Sequence, residues 1–311
     1  MTNTERFDLA ASVLPCNVAD LFVKMDAETK SRIREIRMRI GKPYAVITEN
    51  GTEFVSLCGR LTGVYSELVI KADENAVKET FRKICGYSVH SFKDAINKGY
   101  ITIAGGNRAG VAGTAVTENG CVSSVRDIGF INLRIAREIK GAADEIVRTE
   151  FAHGLRSVII AGPPASGKTT VLRDLARQLS DACSKVFVCD ERGEIGASFS
   201  GVPQNDIGLN CDLITAYPKD EGIMIGLRSF SPDIIICDEI ATERELEAVE
   251  AGINSGVRFA LSVHAKSEEE LKTKRAVRRL VDSGEFDCIV LLSSKTPGKA
   301  EKFYGADDIF G

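Results

Sequence analysis

The chain has 311 residues, 44% hydrophobic and 27% charged, a balance that excludes a disordered or fibrous polymer and leaves room for two domains. Its formal net charge of −4 excludes recruitment of nucleic acid or anionic lipid by a global cationic field, though not by a local basic face. No uncharged run approaches the ~20 residues of a membrane helix, and Met1–Asp8 carries charge where a signal peptide is apolar, so the expectation is a cytoplasmic protein held at a membrane only through partners.

The first part of the chain reads as α+β. Asn17–Met25 has a short helical pattern. Ile36, Met38 and Ile40 alternate with Arg37 and Arg39, the period of a strand. Gly41-Lys42-Pro43 breaks that run, and Tyr44–Thr48 resumes as a second strand before the turn at Asn50-Gly51. Asp73 is placed to cap a helix running to Cys85, with Ala76, Val77, Phe81 and Ile84 on one face. Gly99–Ala104 and Gly110–Thr117 read as strands joined through Gly105-Gly106-Asn107. Neither Gly-Lys-Ser/Thr nor a helix start follows this cluster, so it is a bulged hairpin rather than a phosphate loop.

The rhythm changes after about Arg137. Ala136–Glu150 reads as a linker and a leading helix. Beyond it, apolar strands alternate with helices: Ser157–Ala161, Lys185–Asp190, Asp233–Asp238, Val257–His264 and Phe286–Leu292. Near-continuous runs such as Ile234-Ile235-Ile236 mark strands buried on both faces, as in a parallel sheet covered by helices. The expected organisation is an α+β domain over 1–137 and an α/β domain over 138–311. The nine cysteines, none in C-x-x-C spacing, read as reduced core residues rather than zinc ligands.

Gly162-Pro163-Pro164-Ala165-Ser166-Gly167-Lys168-Thr169 fits G-x-x-x-x-G-K-[ST] in full, between the strand ending at Ala161 and a helix-forming stretch from Thr170 to Leu179. Glycines let backbone N–H groups turn inward as an anion nest, and the new helix points its positive end at the phosphates. Lys168 would set a point charge on the β/γ-phosphates, and the Thr169 hydroxyl would ligate Mg²⁺. The expected ligand is Mg·ATP.

Pro232–Glu239 supplies the second element: a buried strand whose C-terminal edge presents Asp238, expected to hold Mg²⁺, and Glu239, a candidate general base. A third, Asp190-Glu191-Arg192-Gly193-Glu194, ends the strand before it and would crowd the same edge. Glu191 and Glu194 are alternative bases. His264 is the only histidine at the C-terminal tip of an expected sheet strand, placed to sense a γ-phosphate. Lys272–Arg279 holds five basic residues on an expected helix opened by Ser267 and acids, the charge order a helix dipole favours on a solvated or subunit-facing surface.

These four elements, in this order, resemble the secretion and pilus motor ATPases, a RecA-like branch of P-loop enzymes. In that family a P-loop, an acidic "Asp box", a Walker B strand and a "His box" follow one another. The corresponding segments here are Gly162–Thr169, Asp190–Glu194, Ile234–Glu239 and Gly256–His264, with Leu227–Asp233 as the approach to Walker B. More narrowly, Arg34–Pro43, Gly162–Thr170, Val188–Ile195 and Pro232–Ile240 resemble the stage III sporulation AA family of endospore-forming bacteria. That resemblance implies a RecA-like fold and a homohexameric ATPase at the cytoplasmic side of a channel between mother cell and forespore, working with membrane-embedded subunits. Motor ATPases often carry Gly-Glu where this chain has Asp238-Glu239, so which of Glu239, Glu191 and Glu194 is the base stays open. An arginine to neutralise the γ-phosphate would come from Arg126, Arg134, Arg228 or a neighbouring subunit. The other function classes are an ATP-dependent nucleic-acid translocase, disfavoured by acidity and the lack of an aromatic–basic stretch, and a nucleotide-gated scaffold with little turnover.

Overall fold

In a computed structural model describing residues 1–97 and 99–310, the chain divides into two compact units. One holds Met1–Arg137 with Ala197–Gln204, the other Glu138–Gly196 with Asn205–Gly311.

The first unit opens with α1 (Asn3–Ala11), α2 (Cys16–Val23) and α3 (Ala27–Arg32). Helix α1 begins at a capping box in which the Thr2 hydroxyl accepts from Glu5 N and the Glu5 carboxylate accepts from Thr2 N. Strands β1 (Glu35–Arg39), β2 (Ala45–Thr48), β3 (Gly51–Val55) and β4 (Leu61–Thr62) follow, then α4 (Glu74–Ile84), α5 (Lys93–Asn97), β5 (Tyr100–Ile103), β6 (Asn107–Glu118) and β7 (Cys121–Arg134). They form one antiparallel sheet, ordered β4-β3-β2-β1-β7-β6-β5. The period of two in β1 is realised: Ile36 and Met38 are buried while Arg37 faces out. Asp73 caps α4, its carboxylate accepting from Ala76 N. Between β5 and β6 a tight turn places Gly105 and Gly106 at φ +78° and +72°, backbone that glycine adopts without a Cβ clash. Arg6 is fully buried here; its guanidinium donates to Gly105 O (2.8 Å) and Gln204 O (3.0 Å), and Gln204 Oε1 accepts from Gly105 N (2.8 Å). These bonds tie Ala197–Gln204 to the first unit, an association no sequence pattern announces.

The second unit runs α6 (Asp144–Glu150), β8 (Ser157–Gly162), α7 (Lys168–Asp181), β9 (Val186–Asp190), β10 (Cys211–Thr215), α8 (Lys219–Ser229), β11 (Ile234–Cys237) and α9 (Glu243–Asn254). It continues with β12 (Arg258–His264), α10 (Glu268–Thr273), α11 (Arg275–Asp282), β13 (Phe286–Leu292), β14 (Ala300–Gly305) and α12 (Ala306–Phe310). The sheet order is β10-β9-β11-β12-β8-β13-β14, parallel throughout except for β14, which pairs antiparallel at the edge. Successive side chains enter two different cores, one on each face: Ile159, Phe187, Ile235 and Phe259 on one, Val158, Ile160, Val188 and Ile236 on the other. This double burial is why the strands read as unbroken apolar runs. It is the RecA-like α/β fold expected from the sequence.

The single helix expected over Lys272–Arg279 is instead two, α10 and α11, separated at Lys274, whose ψ of 108° is extended rather than helical. Four of its five bases are paired with acids: Lys272 with Glu268, Lys274 with Glu270, Arg275 with Glu243, and Arg279 with Glu243 and Glu250; Arg278 lies over the Phe310 ring.

Candidate functional site

Strand order brings the chemistry together. With β9, β11, β12 and β8 side by side and parallel, Asp190, Asp238, His264 and Gly162 all stand at one C-terminal sheet edge, and Gly162 pairs with His264 directly.

The Gly162–Thr169 loop is built around two glycines. A Cβ on Gly162 would lie 2.3 Å from Ser166 Oγ. Gly167 caps α7 at φ +89°, and a Cβ there would lie 2.5 Å from Gly298 N, which itself donates to Ser166 O (2.8 Å). Ala165 also takes positive φ (62°). Lys168 is 6% exposed and donates to the carbonyls of Gly162 and Pro163 (3.0 Å each) and to His264 Nδ1 (3.1 Å). Burial lowers the Lys168 pKa, while Asp238 and Glu239 pull it back up. The residues fit an anionic group: among the described residues the buried Ser166 hydroxyl has no hydrogen-bond partner, and the Lys168 ammonium is bonded only to uncharged atoms.

Asp238 is held by two hydroxyls. Thr169 Oγ1 donates to its Oδ2 (2.7 Å) and Ser262 Oγ donates to its Oδ1. Ser262, fully buried on β12, also accepts from Glu239 N (2.9 Å). Glu239 sits at φ +50°, a left-handed conformation that costs a non-glycine residue of order 1 kcal/mol or more. His264 Nε2 donates to Glu239 Oε1 (2.7 Å); with an ammonium donating to Nδ1, the imidazole proton lies on Nε2. Arg192 Nη1 lies 2.6 Å from the second oxygen, Oε2.

The acidic turn after β9 divides its labour. Asp190 is a buried anchor whose oxygens accept from Glu194 N (2.8 Å) and Gly196 N (2.9 Å); burial raises its pKa despite these bonds. Glu191 Oε2 is 3.6 Å from Lys219 Nζ. Glu194 has its carbonyl tied to Arg173 Nη2 (2.5 Å). Lys219 is the residue that sequence reading missed. It is 8% exposed and donates to Glu239 O (2.7 Å) and to Glu245 Oε1 (3.1 Å). Its Lys-Asp-Glu context reads as a solvated helix start, and nothing local signals burial. Arg126 and Arg134, by contrast, lie on β7 of the first unit beside Asp127 and Glu35, and Arg228 ends α8. Gly167 and Thr170 form one wall of a cleft of about 590 Å³ that continues along Ile139–Ile146 and Pro297–Ala300.

Comparison with known proteins accords with this geometry. The family described as Sporulation stage III, protein AA matches residues 6–309. The stage III sporulation protein AA of Bacillus subtilis (strain 168) is 33% identical over 303 residues, 96% of this chain and 94% of that protein. Among solved structures, the pilus retraction motor PilT with bound ADP covers 83% of this chain and 74% of its own, with TM-score 0.55 and 15% identity. The Legionella pneumophila ATPase DotB covers 84% and 72%, with TM-score 0.50 and 15% identity. At such identity these two share the fold. The matched family and the B. subtilis relative both span nearly the whole length, and the chain therefore belongs to the stage III sporulation protein AA family.

Proposed function

We propose that this chain is the Mg·ATP-hydrolysing motor of a secretion-type transenvelope complex, the one between mother cell and forespore in sporulation. It works as a cytoplasmic homohexamer docked on membrane-embedded subunits, and 1–137 and 138–311 act as its two domains. The observation that carries the reading is the unbroken series of contacts Lys168–His264–Glu239 and Thr169–Asp238, which joins the phosphate loop to the acids of β11.

Residues Gly162–Thr170 hold the phosphates, with Lys168 leaving its carbonyl partners for a phosphate oxygen. Thr169 and Asp238 would hold Mg²⁺, which neutralises phosphate charge when bound. The cleft beside Gly167 and Thr170 is of a size to take the nucleoside. Glu239, oriented by His264, takes a proton from water as the water oxygen bonds to the terminal phosphorus. The bond from that phosphorus to the bridging oxygen breaks, releasing ADP and phosphate. No helix among the described residues is long and apolar enough to cross a membrane. The ion pairs engaging Lys272–Arg279 favour a solvated or subunit-facing surface over a nucleic-acid track.

The test is turnover of ATP by purified protein with and without single-stranded DNA, beside Glu239→Gln. The variant is expected to bind ATP and hydrolyse it at least ~10²-fold more slowly, the loss of a general base. DNA-stimulated turnover would transfer the protein to the translocases. An active Glu239→Gln with a dead Glu191→Gln would move the base to the acidic turn.

A further inference from the structure

We propose that Arg192 distinguishes a nucleoside triphosphate from a diphosphate, passing its guanidinium from the Glu239 carboxylate to the terminal phosphate and so freeing the base only when there is a phosphate to attack. The proposal deepens the nucleotide-hydrolysing reading and rests on it.

Four observations carry it. The backbone around Arg192 is fixed, because the turn hangs from Asp190: Gly193 N donates to its carbonyl (3.3 Å), and Glu194 N and Gly196 N donate to its carboxylate. The side chain is not fixed in the same way. It is 58% exposed, and its ion-pair partner among the described residues is Glu239. Third, the groups form one series: Lys168 Nζ to His264 Nδ1 at 3.1 Å, His264 Nε2 to Glu239 Oε1 at 2.7 Å, Glu239 Oε2 to Arg192 Nη1 at 2.6 Å. A phosphate taken by the cation at one end lies a few side-chain widths from the cation at the other. Fourth, both Glu239 oxygens are already engaged: Oε1 accepts from His264 Nε2, and Oε2 is ion-paired with the Arg192 guanidinium. With a guanidinium on Oε2 the carboxylate has little left to offer a water, so the arginine has to leave before Glu239 takes a proton.

The chemistry of the exchange favours the phosphate. A terminal phosphate carries more charge than a carboxylate and matches the planar fork of a guanidinium with two oxygens. A diphosphate ends one phosphate short of that position and has no γ-phosphate to offer there, so with ADP bound the guanidinium stays on Glu239. Binding of the triphosphate thus does two things at once: it gains a cation on the group to be transferred, and it releases the carboxylate that prepares the water. Sequence reading looked for an arginine in Arg126, Arg134, Arg228 or a neighbouring subunit; Arg192, beside Glu239, is a further one and comes from the acidic turn.

The experiment compares full-length wild type with Arg192→Ala and Arg192→Lys. ADP and the non-hydrolysable imido analogue of ATP are titrated against each, and kcat and KM for ATP are measured. ADP affinity is expected to stay within about twofold in both variants, which also reports that the phosphate loop is folded. Affinity of Arg192→Ala for the analogue is expected to fall ~10-fold or more, the loss of one charge-assisted contact. Its kcat is expected to fall ~10²–10³-fold, as when one donor to the developing charge is removed. Lysine should recover part of the analogue affinity but little of kcat, because a point charge lacks the fork. Equal losses of ADP and analogue affinity would overturn the proposal in favour of a loop-supporting role. Unchanged discrimination between the two, or undiminished turnover, would overturn it outright. A wild type that binds no nucleotide overturns the hydrolase reading itself, before any variant is made.

Discussion

Replacing Lys219 by methionine tests whether the buried cation under Glu239 holds the site together. The ammonium, 8% exposed, joins three elements: Glu239 after β11, Glu245 in the first turn of α9, and Glu191 in the acidic turn. Methionine fills nearly the same volume, so cavity formation contributes little. What is lost is the charge beside Glu245, whose side chain is 10% exposed. Breaking a buried pair from one side costs about 3–5 kcal/mol. Glu245 retains bonds from Ala241 N and Thr242 N (2.8 Å each), so the low end applies. A loss of about 3 kcal/mol lowers Tm by roughly 6–12 °C in a domain of 150–250 residues. Thermal unfolding of the full chain measures it, with the transition of the second unit identified by its shift on adding nucleotide. Glu245→Gln in the Lys219→Met background keeps the cap, removes the stranded charge, and should restore at least half the loss.

Acid sharpens the same test. Burial pushes the Glu245 carboxyl up, but bonds from Ala241, Thr242 and Lys219 outweigh it and leave the pKa below its usual value. A depressed carboxylate stabilises the fold above its unfolded value of ~4.3, and that contribution disappears as pH falls through the folded value. The gap between wild type and Lys219→Met should therefore narrow below about pH 4. A loss under ~1 kcal/mol at neutral pH would refute the idea that this knot is a stabilising one.

Lys168→Ala should abolish ATP binding, since the buried ammonium has no substitute in the loop; an unchanged affinity in a binding titration would remove the phosphate site. Ser262→Ala takes one donor from Asp238 and the acceptor from Glu239 N, and is expected to raise the Mg²⁺ concentration for half-maximal turnover ~10–100-fold, the usual effect of losing a residue that orients a metal ligand. Ring assembly predicts that turnover per chain falls on dilution in step with particle mass from light scattering, with the exposed Arg126 and Arg134 as donors to a neighbour's phosphate. Constant turnover from a monomer at every concentration would refute a shared site.

The legible parts of this protein are those where chemistry dictates residue type at fixed spacing. A Cβ at Gly162 or Gly167 would collide with its surroundings, and Ile234–Cys237 is apolar because both its faces are covered. Illegible parts depend on distant partners. Strand β7 escapes periodicity because most of its length is exposed or half-buried, and its extended conformation is fixed by pairing with β1 and β6 rather than by a core face. Helix α1 did carry a signal, Thr2 and Glu5 at capping-box spacing ahead of Phe7, Ala10 and Ala11, which charge counting at the terminus passes over. Arg192 stands in plain view within the acidic turn, but its engagement with Glu239 follows from β9 and β11 being neighbours in the sheet. No local pattern encodes that adjacency.

The strand order has a consequence for how the protein is made. Strand β8, which leads into the Gly162–Thr169 loop, is flanked by β12 and β13, so Gly162 meets His264 only 102 residues later and Ser157 meets Phe286 only 129 residues later. At ~5–20 residues per second, the ribosome leaves Val158–Ala161 without lateral partners for several seconds or more. During that interval the nascent chain displays an apolar strand with two open edges. The segment that leads into the Gly162–Thr169 loop is thus the one in greatest need of protection on the ribosome, and His264 reaches Lys168 only after about a hundred further residues have been added.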